Sequence, residues 1–126
     1  MRVPILKQGD YLIASIQAAL TDADLLQLWD DLTDQVGKYR SRGAIVDVTA
    51  LDVLDSFASR TLRGIAHMLR LRGAQTVIVG IQPDVAFAMV QLGLTLEGVA
   101  TVLDLEEGLA YLDSVRPPKS RGDSGR

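Results

Sequence analysis

Asp47, Asp52, Asp55 and Ser56 fall within ten residues of one another in "DVTALDVLDSF", and these side chains could accept a phosphoryl group, as an acyl phosphate or a phosphoester. The aspartate reading requires Mg²⁺ and further carboxylates converging from another strand end. The early candidates, "LKQGD" and "IQAAL", supply no such acidic pair. A Ser-His-Asp hydrolase needs a histidine beside the serine. His67 is the one histidine, and it lies eleven residues along the same predicted helix, roughly 16 Å by helical rise. No G-x-S-x-G elbow surrounds Ser56, and neither G-x-G-x-x-G nor G-x-x-x-x-G-K-[ST] occurs. The absence of cysteine removes thiolate catalysis, disulfides and Cys-based zinc sites. The expectation is therefore no catalytic residue, no cofactor and no metal. Ser56 has two readings: it, or Asp55, is the N-cap of a helix, or it is an exposed hydroxyl that a separate kinase modifies.

The elements that hold this stretch follow from hydrophobic spacing. "VPILKQGDYLIASI" is two short apolar runs around Gln8-Gly9-Asp10, which predicts a β-hairpin. Thr21 offers an N-cap with Asp24 at the third helical position, and Leu25, Leu28, Trp29, Leu32 and Val36 recur at helical spacing. That helix should end between Gly37 and Gly43. "AIVDV" is the kind of run that a parallel sheet buries on both faces. A helix from Ser56 carries Phe57, Leu62, Ile65, Ala66 and Leu69 and stops at Gly73. "TVIVGI" is the next strand, Pro83 opens a helix that Gly93 closes, and "VATVL" is the last strand. Asp104 with Glu107 then reads as a capping box. The order β-β-α-β-α-β-α-β-α implies an α/β sandwich with a mainly parallel sheet and an N-terminal hairpin.

The chain has 126 residues, the size of one domain, and is 48% hydrophobic but only 5% aromatic, so its core must be built from aliphatic side chains. The formal charge of −3 is unevenly distributed: residues 116–126 hold four Lys/Arg and one Asp, leaving −6 for residues 1–115. An acidic body does not track phosphates, which argues against nucleic acid. No run approaches the ~20 apolar residues that span a bilayer, and the first twenty residues are interrupted where a signal peptide is continuous. A cytoplasmic protein is expected, with one domain over 1–115 and a flexible basic tail over 116–126, where Pro117-Pro118 and polar residues cannot bury enough apolar surface to order themselves.

In an open α/β sheet, function gathers at the carboxyl ends of the strands. "DVLDSFASR" and "GIQPD" both open there, which makes Asp55, Phe57, Arg60, Gln82 and Pro83 candidate partner contacts around Ser56. Arg60, Arg63, Arg70 and Arg72 read as a solvated helix face, or, for Arg60 and Arg63, as groups that meet an acidic partner or steady a phosphate. His67 should be exposed and Trp29 part of the core. The tripeptide at 121–123 reads as chance.

The stretches "VPILKQGDYLIASIQAALTDAD", "IVDVTALDVLDSFASRTL", "AQTVIVGIQPDVAFAMVQLGL" and "VLDLEEGLAYL" together resemble the STAS domains of anti-sigma-factor antagonists, most closely the small stressosome scaffolds of the RsbS type. The likeness spans residues 3–113. It implies co-assembly with larger STAS proteins bearing N-terminal sensor domains, self-association through the STAS domain, and sequestration of a serine kinase of the RsbT type. By position it makes Ser56 the phosphorylated serine and Asp55 its matching neighbour. Ser59 is a secondary candidate acceptor, and Thr61 a packing or surface residue. The chain would be a substrate and scaffold, not a catalyst. Two alternatives stand beside this: an anti-sigma-factor antagonist that pairs with one kinase, and a receiver-like domain with an aspartate phosphoacceptor.

Overall fold

Apolar side chains alternate along the inner strands with a period of two, and this alternation divides the core into two layers. The computed structural model describes residues 2–115. Its elements are β1 (Ile5–Gln8), β2 (Tyr11–Ser15), α1 (Asp22–Tyr39), β3 (Gly43–Asp47), α2 (Ser56–Leu71), β4 (Gln75–Val79), α3 (Pro83–Gln91), β5 (Ala100–Val102) and α4 (Leu105–Val115). The sheet runs β1-β2-β3-β4-β5, with β1 antiparallel to β2 and the other pairs parallel. Ile13 aligns with Ile45, and Ile45 with Val77, so residues of like character share a face across three strands. The predicted order and hairpin are those observed. The predicted basic tail over 116–126 lies outside the described residues.

Leu12, Ala14, Ala44, Val46 and Ile78 join the larger core, to which α1 contributes Leu28 and Leu32 and α2 contributes Leu62, Ile65 and Leu69. Tyr11, Ile13, Ile45, Val77 and Val79 form the other layer with Leu112 of α4. Strands buried on both faces in this way demand helices on both sides, and the crossover connections place them there.

The ends of the elements follow local chemistry. Thr21 caps α1 in a reciprocal box: its Oγ1 accepts the Asp24 amide at 3.1 Å, and Asp24 Oδ2 accepts the Thr21 amide at 3.1 Å. The helix ends at Tyr39, and Arg40 takes a left-handed conformation (φ 52°) with its amide donating to Val36 O. Pro83 occupies the first turn of α3, where its missing N–H costs no helical bond. The last strand is shorter than "VATVL" predicts. The Leu103 amide donates to Glu107 Oε1 at 3.1 Å, and Asp104 Oδ1 accepts the Glu107 amide at 2.9 Å, so the chain has already turned into the cap of α4. Among the described residues no helix is long and apolar enough to cross a membrane.

Candidate functional site

The loop between β3 and α2 is held at several points before it reaches Ser56. At its start Asp47 Oδ1 accepts from the Thr49 amide at 2.9 Å and from Thr49 Oγ1 at 2.6 Å, a turn that an Asp-x-Thr sequence favours. The Leu51 amide closes the next turn onto Val48 O at 2.9 Å, and the Leu51 and Leu54 side chains are buried in the larger core. From the neighbouring loop, Gln82 Nε2 donates to Thr49 O at 2.7 Å. Gly80 lies against the same threonine. Its φ is +83°, and a Cβ there would stand 1.9 Å from Thr49 Oγ1. Only glycine fits that backbone conformation and that approach.

At the end of the loop, Asp55 caps α2, with Oδ1 accepting the Ala58 amide at 2.8 Å. Of the two residues that could cap this helix, Asp55 does so. Because Asp55 fills that role, Ser56 occupies the first helical position, exposed, with a hydroxyl that makes no hydrogen bond to any described residue. Phe57 turns partly inward and packs on the larger core. An apolar hollow of about 110 Å³ opens beside Asp55, between Leu20 and Leu25 on one side and Val53 and Leu54 on the other. Val53 remains 70% exposed at this edge.

Of the candidate partner contacts, Asp55, Arg60 and Pro83 are exposed, while Phe57 and Gln82 are half-buried. Gln82 is engaged with Thr49, and its contribution at this edge is to join the two loops. Arg63 is not a free solvated cation: Nη1 donates to Thr95 O at 3.2 Å and to Thr95 Oγ1 at 3.3 Å. Arg70 likewise donates to Gly98 O at 2.7 Å. Both arginines clamp the segment between α3 and β5. Arg60, four residues beyond Ser56, makes no hydrogen bond to a described residue. His67 is exposed, and Trp29 packs on the core.

Ser59 requires a correction. Its exposure is 2% and its Oγ is buried without a hydrogen-bond partner, so a kinase cannot reach it in the folded domain. It falls on the same helical stripe as Leu62 and Ala66, where burial overrides a polar side chain. Thr61, at 6% exposure, is a packing residue. Asp47 and Asp55 accept hydrogen bonds from turn and cap amides, and among the described residues no group of three or more His, Cys, Asp or Glu could hold a metal ion. Sequence reasoning missed Thr49 and Gly80. The Asp-x-Thr spacing after a strand was the available signal for the first, and the second carried none beyond its residue type.

Known proteins share this architecture. RsbS from Moorella thermoacetica, solved as a serine-to-glutamate variant, superposes with a TM-score of 0.76 at 36% identity, over 89% of this chain and 95% of that one. A chain of the stressosome, described as a signal integration and transduction hub, superposes at 0.73 with 36% identity, over 88% and 96% of the respective chains. The RsbT co-antagonist protein RsbRA of Bacillus subtilis is 30% identical over 83 residues, 66% of this chain but 30% of RsbRA. The chain thus spans under a third of that curated relative's length. The STAS domain model matches residues 2–108, and the chain belongs to the STAS domain family.

Proposed function

We propose that this chain is a non-enzymatic scaffold of a cytoplasmic stressosome-type complex, which retains an RsbT-type serine kinase and releases it once Ser56 is phosphorylated. One observation carries the reading: an exposed hydroxyl that makes no hydrogen bond to a described residue stands at the first position of α2, after a loop pinned by Thr49, Gln82 and Asp55. The 36% identity to RsbS, against 30% to RsbRA, supports the RsbS-type assignment. Larger STAS proteins of the RsbR type would be its co-assembly partners and would carry the sensing domains.

The physics of the switch is local. A phosphate at Ser56 adds roughly −1.5 to −2 charges at the positive end of a helix, where an anion is tolerated. The fold should survive the modification. The surface would change, because a dianion beside Asp55 replaces the neutral hydroxyl that a docked partner had met, and like-charge or desolvation cost would then expel that partner. Arg60, one turn along the helix, offsets part of the new charge.

Incubation with an RsbT-type kinase and ATP, followed by peptide mass mapping, tests the assignment. The expected result is phosphate on Ser56 and none on a Ser56→Ala protein. Phosphate elsewhere with Ser56 untouched refutes the site. Mixing with a sensor-bearing STAS partner should give a particle of megadalton order, whereas a one-to-one complex with a kinase alone would support the simpler antagonist.

A further inference from the structure

The amino ends of the parallel strands, opposite Ser56, carry the contrary charge. Lys38, Arg40 and Arg42 lie at the junction of α1 and β3, and Arg70 and Arg72 at the junction of α2 and β4. Arg40, Arg42 and Arg72 line one hollow of about 340 Å³ with Val36, Gly37 and Ser41. Arg72 lies across the bare backbone of Gly37, where an added Cβ would stand 3.6 Å from Arg72 Nη1. None of the three guanidinium groups makes a hydrogen bond or ion pair with a described residue.

We infer that this hollow binds a small phosphate-class oxyanion, with a diphosphate as the best match in charge. Attraction to helix C-termini accounts for the sign of these residues but not for their convergence. At these termini Val36 O accepts the Ser41 amide at 3.2 Å, Leu69 O the Ala74 amide at 2.9 Å and Arg70 O the Gly73 amide at 3.0 Å, so these three carbonyls are engaged by backbone amides. Planar, permanently charged donors with free hydrogen-bonding edges suit phosphate oxygens, which they grip in pairs. Ser41, 5% exposed, lines the same wall. The concavity favours a small ligand over a flat acidic protein surface, since 340 Å³ is at the lower end of small-molecule pockets, about 300–1,000 Å³. The site is independent of the switch proposed at Ser56.

Amide NMR on the full chain, titrated with sodium pyrophosphate at constant ionic strength, tests the inference. Saturable shifts are expected at Gly37, Ser41 and Gly73. Arg72→Gln and Arg40→Gln should each weaken binding roughly tenfold, the loss of one charge-assisted contact. Parallel titrations with orthophosphate and ADP distinguish a free phosphate from a nucleotide. Shifts that grow linearly, that chloride reproduces, or that neither substitution weakens overturn the site. Tighter binding of a polyglutamate peptide than of pyrophosphate overturns the small-ligand assignment. Should Arg72→Gln fail to give a folded spectrum, Arg40→Gln decides the matter alone.

Discussion

The Gln82 side-chain amide donates to the Thr49 carbonyl at 2.7 Å and so joins the loop after β4 to the loop that carries Ser56. A brace of this kind sets the position of the serine from a neighbouring strand end, so that its presentation does not depend on its own loop alone. Gln82→Ala should lower the unfolding free energy by about 1 kcal/mol, as expected for one hydrogen bond. Hydrogen exchange should quicken in the amides from Thr49 to Asp55 while those of β3 stay protected. Uniform exchange across both would show that the loop is held by Leu51 and Leu54 without the brace.

Asp55 and Ser56 are adjacent but have different duties, and substitution should separate them. Asp55→Ala removes the acceptor for the Ala58 amide and should cost about 1 kcal/mol in denaturant unfolding. Ser56→Ala removes no hydrogen bond to a described residue and should stay within about 0.5 kcal/mol of the parent protein. Ser56→Asp should retain the parent circular dichroism and bind the kinase poorly in a pull-down. Undiminished capture would count against an electrostatic switch at this position.

Gly64 lets α2 approach α1. A Cβ there would stand 2.6 Å from Trp29 Cζ3 and 2.7 Å from Cη2, both on the outer edge of the six-membered ring of the indole. Gly64→Ala should therefore destabilise the protein by about 1–3 kcal/mol, the usual cost of overpacking, despite alanine's better helix propensity. Trp29→Leu in the same chain should recover part of the loss. If Gly64→Ala instead raises the melting temperature, the two helices have more room than this packing allows.

Most of the scaffold was legible in the sequence because it rests on periodic or local signals. The Thr21 and Asp24 box, Pro83 at the start of α3 and the two-faced strands all follow from residue type at fixed spacing. The site was legible only in part. Ser59 reads as a surface hydroxyl by type, yet seven α2 residues from Ala58 to Leu69 are buried and Ser59 is among them. Packing on that face overrode polarity. The Gln82 to Thr49 brace joins residues 33 positions apart through a side chain and a carbonyl, a contact that leaves no periodic trace. The clamps from Arg63 and Arg70 were hidden for the same reason, since both end on loop carbonyls.

Arg2 and Asp31 make the acid response of the N-terminal segment predictable. Arg2 Nε donates to Asp31 Oδ2 at 3.0 Å and Nη2 to Oδ1 at 2.9 Å, a paired geometry that Gln27 Nε2 supports by donating to Oδ1 at 2.9 Å. The hydrogen bond from Arg2 holds the Asp31 carboxyl below the ordinary carboxylate range, against the upward push of its own burial, and Gln27 adds to the lowering. The unfolded chain therefore takes up this proton at a higher pH than the folded one. Stability from the pair is fully present above the ordinary carboxylate range and is lost as pH falls through the lowered folded value. A carboxyl-carbon NMR titration should place the Asp31 midpoint below the ordinary carboxylate range. Arg2→Gln should move it up, and Gln27→Ala should move it up less. Because the Arg2 side chain is 71% exposed and that of Asp31 only 13%, high salt should raise the midpoint by weakening the solvent-facing partner. An Asp31 midpoint that Arg2→Gln leaves in place would assign the lowering to groups on α1 itself and release the N-terminal segment from any part in the acid response.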